Sequence, residues 1–149
     1  MVQLRPAKVG DLPAIFDIRT SVRENALTME ELAERGITPN SFGARLEEQA
    51  LQAWCAEVED QLVGFSVVDS AAREVFALFV RPEAEGRGVG GALLDVAVDW
   101  LFQRGPKPIR LVTGPDTRAY VFYTKRGWRY VSLAPHGDVW MELAARPGA

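Results

Sequence analysis

The chain has 149 residues, 48% of them apolar and 25% charged, which fits one ordinary globular unit and excludes a disordered, collagen-like or repetitive chain. The longest apolar run, Val75 to Val80, is far too short to cross a bilayer, and the first eight residues lack a signal peptide's apolar stretch; a cytoplasmic protein with no membrane partner is expected. One cysteine, Cys55, and one histidine, His136, exclude an internal disulfide and argue against a metal site, and a net charge of −3 gives no basic footprint for nucleic acid. The charge is uneven: residues 1–74 carry 7 Lys+Arg against 13 Asp+Glu, and residues 75–149 carry 10 against 7. A more basic second half suits a polyanionic ligand, although chance explains such a split equally well.

In chain order, Gly10-Asp11-Leu12-Pro13 reads as a helix start with Asp11 as N-cap and Pro13 in the first turn. Leu12, Ile15, Phe16, Ile18 and Val22 then form a helical apolar stripe. Thr28 to Glu31 spells a capping box, and that helix ends near Gly36. Thr38-Pro39 opens another, running towards Gln49. Ala53–Val58, Leu62–Asp69 and Glu74–Val80 read as an antiparallel meander, and the third strand, almost wholly apolar, should be central. A long helix is expected from about Gly91 to Arg104, stopped by Gly105-Pro106. Ile109–Thr113 is a strand, Asp116 caps a helix from Thr117 to Arg126, and Trp128–Leu133 with Val139–Leu143 form a last hairpin. The order implies an α+β (α/β sandwich) fold, with a mixed, largely antiparallel sheet of about six to seven strands and helices on both faces.

Between the central strand and the long helix lies Gly86-Arg87-Gly88-Val89-Gly90-Gly91. Glycines allow close backbone approach, and the free amides of a helix start attract an anion, so a phosphate or pyrophosphate is the natural guest. The Gly-Lys-Ser/Thr of a Walker loop is absent. The loop formally fits G-x-G-x-x-G, but no acid lies near Ile109 to accept a ribose, which weakens a nicotinamide reading.

Val80-Arg81-Pro82-Glu83, followed by Glu85 to Leu94, resembles the acyl-CoA loop of the GNAT-type N-acetyltransferase superfamily, with Glu85 where Gln or Arg is usual. Asp116 to Trp128 is similar to a second block of that family, with Asp116 for Asn and Trp128 for Phe. The resemblance is clear over residues 54–130, looser over 2–27, and one of length only over 28–52. It implies a single GNAT-like domain over 1–149 that transfers an acetyl group from acetyl-CoA to a primary amine of a small molecule or peptide, by direct attack in a ternary complex.

The resemblance places the pyrophosphate on amides of Arg87, Gly88, Val89, Gly90 and Gly91. It places the pantetheine arm along Leu78, Phe79 and Val80, with Asp116 nearby. Tyr123 matches the tyrosine near the thioester sulfur, as donor to the departing thiolate; packing of its helix on the sheet is the rival reading. Glu74, a carboxylate on the central strand, is the first candidate for general base. His136 and a water are the alternatives, and Glu85 is expected to point to solvent. Arg23, Glu24 and Asn25 fall where the family contacts its acceptor, and are otherwise a polar helix end. Arg118, Lys125, Arg126 and Arg129 either supply a positive field for the adenosine phosphates or form a solvated helix face. Cys55 reads as a core hydrophobe, which disfavours a covalent acyl-enzyme. A non-catalytic acyl-CoA-binding module and a nicotinamide-dependent oxidoreductase remain as competing classes. A homodimer through the exposed last hairpin is possible by analogy with the family.

Overall fold

The computed structural model describes residues 2–148. Strand β1 (Gln3–Pro6) leads through a 3-10 turn into helices α1 (Leu12–Ser21), α2 (Met29–Glu34) and α3 (Pro39–Glu47). A meander follows, β2 (Leu51–Val58), β3 (Gln61–Asp69) and β4 (Glu74–Val80), then α4 (Val89–Phe102), β5 (Ile109–Thr113) and α5 (Arg118–Lys125). Strands β6 (Arg129–Leu133) and β7 (Val139–Leu143) close the chain. All seven strands join one sheet in the order β1-β2-β3-β4-β5-β7-β6, so β4 is indeed central. Every pairing is antiparallel except that of β4 with β5. No helix among the described residues is long and apolar enough to cross a membrane.

The alternating strand pattern feeds two cores. Ala53, Cys55, Phe65 and Val67 pack with Leu12, Ile15, Phe16, Ile18, Leu32 and Phe42 from α1–α3. Trp54, Ala56, Val63 and Val68 face the other way, against Leu93, Leu94, Ala97, Leu101, Tyr123 and Trp128 from α4, α5 and the turn after it. The Ser66 hydroxyl donates to the Leu93 carbonyl at 3.1 Å, satisfying a buried polar group and tying β3 to α4.

The Thr28–Glu31 capping box forms as its spacing predicts, as does a cap by Thr38. Asp11 departs from its expected role. Its carboxylate makes no cap on α1; it accepts from the Lys8 amide at 2.8 Å and from both terminal nitrogens of Arg5 at 2.8 Å. The Arg5 guanidinium thereby holds the carboxyl down to about 2, and a bidentate charged pair outcompetes a single amide. Cys55 is fully buried, and burial pushes its thiol up to about 12. A thiol-specific dye is therefore expected to leave the native protein unlabelled and to label it stoichiometrically once denatured; fast native labelling would contradict this packing.

Candidate active site

The central strand is paired on one edge and nearly free on the other. β4 pairs with β3 over its length, from Asp69↔Glu74 to Gly64↔Val80. With β5 it shares a single register pair, Glu74↔Arg110, held by a 3.0 Å bond from the Arg110 amide to the Arg73 carbonyl. Beyond Glu74 the strands part, and the backbone of Phe76 to Val80 presents unpaired groups along the opening. The register shift between Val67 and Val68 is a bulge at Phe76 of β4. It turns both Phe76 and Ala77 towards the α1–α3 face, while Val75, Leu78 and Val80 pack on the α4 face. A bulge re-aims side chains in this way where a strand must serve two faces. The splay also explains why an apolar central strand is only half-buried beyond Val75.

The glycine loop reaches the top of that opening. α4 begins at Val89, two residues earlier than its apolar pattern suggests, because Gly88 takes the left-handed conformation (φ 80°) of its N-cap. No side chain caps the helix, so the first-turn amides remain free donors. A β-carbon at Gly90 would touch Val80 at 3.8 Å and Phe122 at 3.9 Å, which brings the ends of β4, α4 and α5 to one point. A β-carbon at Gly91 would run into the Arg126 guanidinium, which pairs with Asp95 at 2.8 Å and lies 4.9 Å from the Phe122 ring. Bare backbone, uncapped amides and a nearby arginine fit a pyrophosphate. Replacing Gly88 by Ala meets no steric contact but strains the left-handed φ, so a loss of about 1 kcal/mol, or roughly 3 °C in Tm, is expected by thermal denaturation.

Glu85 is exposed, as expected, but it is not unpartnered. It pairs with Arg118 of α5 at 3.3 Å, so the loop's departure from the family pattern is answered by a cation across the opening. Arg87 is exposed, as are Lys125 and Arg129. Asp116 is likewise exposed, and it does not cap α5; Thr117 does, its hydroxyl accepting from the Tyr120 amide at 3.1 Å. The hydroxyl of Thr117 stands at the residue directly before the helix, where capping geometry is met. Tyr123 is buried beside Phe122 and Trp128, at ring centroid distances of 5.4 Å and 6.0 Å. Burial alone pushes its phenol well above the ordinary value near 10.

On the opposite face, a cavity of about 380 Å³ opens between α1–α3 and the splayed strands. Glu74, Phe76, Ala77 and Phe79 line it from β4, with Val112 and Thr113 from β5 and His136 and Asp138 from the last hairpin loop. Glu74 is half-buried there. Burial raises its pKa, with Asp69 acting in the same direction and Arg110 against it. Arg110 itself turns onto Trp140, 4.3 Å from the ring centroid. His136, in a left-handed conformation (φ 64°), is exposed at the cavity's edge.

The Arg23-Glu24-Asn25 group lies in the turn after α1, not on the helix. Asn25 lines the cavity, whereas Glu24 reaches α5 and accepts from the Arg118 amide at 3.0 Å, neutralising the start of that helix. Arg23 is exposed and is not among the cavity residues. Sequence reasoning missed Arg19, Arg35 and Asp138, all at the cavity. Arg19 carried a signal, since it sits four residues after Ile15 on the same buried stripe of α1. Among the described residues no three His, Cys, Asp or Glu side chains cluster as a metal would require.

An open strand edge meeting an uncapped helix start within a seven-stranded mixed sheet is the acyl-CoA N-acyltransferase fold. The chain belongs to the acetyltransferase (GNAT) family, which it matches over residues 12–128. It is 41% identical over 68 residues to a mycothiol acetyltransferase of Beutenbergia cavernae, covering 45% of this chain and 23% of that protein. A mycothiol acetyltransferase of Clavibacter sepedonicus is 30% identical over 95 residues, covering 56% and 31%. The chain thus spans a quarter to a third of these relatives' length. The fold is shared with the PaiA N-acetyltransferase of Thermoplasma acidophilum in complex with coenzyme A (TM-score 0.80, 18% identity, 97% of this chain and 99% of that one). It is shared too with the ribosomal-protein-S18-alanine N-acetyltransferase of Escherichia coli (TM-score 0.75, 17% identity, 100% and 97%). Among the described residues the sheet is largely antiparallel, not the doubly wound parallel sheet that the nicotinamide alternative implies.

Proposed function

We propose that this chain forms one GNAT-like domain that transfers an acetyl group from acetyl-CoA to a primary amine in a ternary complex. The observation that carries the reading is the free edge of β4 running from the acceptor cavity to the uncapped start of α4. Acetyl-CoA supplies the thioester. The amides of Arg87 to Gly91 and the Arg126 guanidinium hold its pyrophosphate, and the backbone of Leu78, Phe79 and Val80 lines its pantetheine arm. Glu74 takes the proton that the acceptor ammonium must lose before its nitrogen can attack. The nitrogen–carbonyl bond forms, the carbon–sulfur bond breaks, and Tyr123 donates a hydrogen bond to the departing thiolate. The acidic first half, with Asp11, Glu57 and Asp69 already in ion pairs, says little about the acceptor. Any homodimer is expected to form through β6, a sheet edge that exposes Tyr130, Val131 and Leu133.

Calorimetric titration with acetyl-CoA, with NADPH as control, tests the cofactor half. Free-thiol release over an amine panel tests the chemistry. Acetyl-CoA binding with amine-dependent thiol release is the expected result. Binding without turnover on any amine leaves a non-catalytic acyl-CoA-binding module, and failure to bind overturns both.

A further inference from the structure

The acceptor cavity contains two arginines, Arg19 and Arg35, and neither forms an ion pair with the cavity's two carboxylates, Glu74 and Asp138. Arg19 projects from the buried face of α1, its guanidinium 4.2 Å from the centroid of the Phe79 ring. It donates to the Asn25 carbonyl at 3.1 Å. The ion pairs among the described residues involve neither Arg19 nor Arg35, the second arginine at this cavity. The stack orients the guanidinium plane and leaves its remaining donors free. Burial, with Arg35 adding to it, lowers the Arg19 pKa to about 10, the opposite of what a neighbouring carboxylate does. A half-buried cation kept without a counter-ion is costly unless a ligand supplies one.

The other charges are placed apart. Glu74 lies five residues before Phe79 on β4, roughly 15 Å along the strand. Asp138 and His136 enter from the hairpin loop. Between the two ends, Ile15, Phe16, Leu32, Phe42, Phe65 and Phe76 make an apolar wall. The cavity is therefore cationic at Arg19, acidic at Glu74 and apolar between.

Resting on the acetyltransferase reading above, we infer that the acceptor is an amine that also bears a carboxylate and an apolar side chain, its carboxylate held by Arg19 beside Phe79. A free apolar α-amino acid has this chemistry; its amine stays beside the carboxylate held at Arg19, so its proton reaches Glu74 through water rather than by direct contact. Polyamines and other polycationic acceptors do not, because they lack a carboxylate for Arg19 to hold.

The test pairs each acceptor with its neutral or decarboxylated form: phenylalanine, phenylalaninamide and phenethylamine, the leucine set, and spermidine. With wild-type enzyme and acetyl-CoA, the acids are expected to show kcat/KM at least tenfold above their amides and amines. In Arg19→Met, which keeps the side-chain length over Phe79, the acid-to-amide ratio should fall to about one, chiefly through KM. Equal rates on acids and amides, or a preference for spermidine, overturn the inference and leave the acetyltransferase reading standing. A second readout needs no turnover: calorimetry with N-acetylphenylalanine and N-acetylleucine, the product forms. Binding by wild type that is lost in Arg19→Met supports the carboxylate site; no binding of either at millimolar concentration overturns it. Failure to bind acetyl-CoA is a separate outcome that strikes the catalytic reading alone.

Discussion

Tyr123→Phe is expected to lower kcat about a hundredfold while the affinity for acetyl-CoA changes by less than about threefold. The ring is a packing element, seated between Phe122 and Trp128, and Phe keeps those contacts. Only the hydroxyl is lost. Burial alone raises its pKa, so no charged partner or hydrogen bond depends on it, and the Tm should hold within about 2 °C. The raised value also limits the chemistry. A phenol above 10 is a weaker acid than an alkyl thiol near ~8.5, so full proton transfer to the thiolate is uphill. The role proposed for Tyr123 is therefore that of a fixed donor to charge as it develops on sulfur. The sign for pH follows: a folded pKa raised above the unfolded value keeps the proton on, so Tyr123 adds no limb to the rate profile below about pH 10. Steady-state kinetics with separate calorimetry of acetyl-CoA decides the matter. A variant with wild-type kcat removes Tyr123 from the chemistry and leaves it a packing residue; a variant that loses only cofactor affinity makes it a binding residue.

The sheet and the glycine loop were legible because their signals are local. Short apolar runs bounded by turn residues mark β2 and β3, and six consecutive apolar residues mark the centre of the sheet. Two of the glycines marking the loop have positive φ at 86 and 88 in the structure. The misread positions are those where several local partners compete. Asp11 could cap a helix or bind an arginine, and the bidentate pair with Arg5 wins. Asp116 and Thr117 could each cap α5, and the adjacent hydroxyl has the geometry. The cavity beneath α1–α3 is the least legible part because it is assembled from α1–α3, β3–β5 and the β6–β7 loop. Neither the Glu24 bond to α5, 94 positions away, nor the bulge at Phe76 has a sequence signature. Glu85 illustrates the same limit: its partner Arg118 is 33 residues distant, so the residue reads as a defect until the fold brings them together.

Glu74→Gln separates proton transfer from architecture. Burial raises the Glu74 pKa, so its carboxylate forms only at a higher pH than that of an ordinary glutamate. A base must be ionised to accept a proton, so the wild-type kcat/KM should climb with pH through that raised value, then follow the acceptor amine's own deprotonation. In Glu74→Gln the first limb disappears and only the amine limb remains, with kcat at pH 8 reduced about a hundredfold. Stability moves the other way. A carboxyl whose folded pKa is raised stabilises the fold while protonated, and that contribution is lost as pH rises through the folded pKa. At pH 8 the ionised wild type bears the desolvation that Gln does not, so the variant's Tm should equal or exceed that of the wild type. Arg110 keeps its stack on Trp140 and is not stranded by the change. Loss of activity together with loss of fold would point to a structural Glu74. A variant that stays active and keeps an acid limb, removed in turn by His136→Gln, would transfer the role to the histidine at the cavity's edge. A full acid limb in both variants would leave proton removal to water, and Glu74 would then have no part in the transfer.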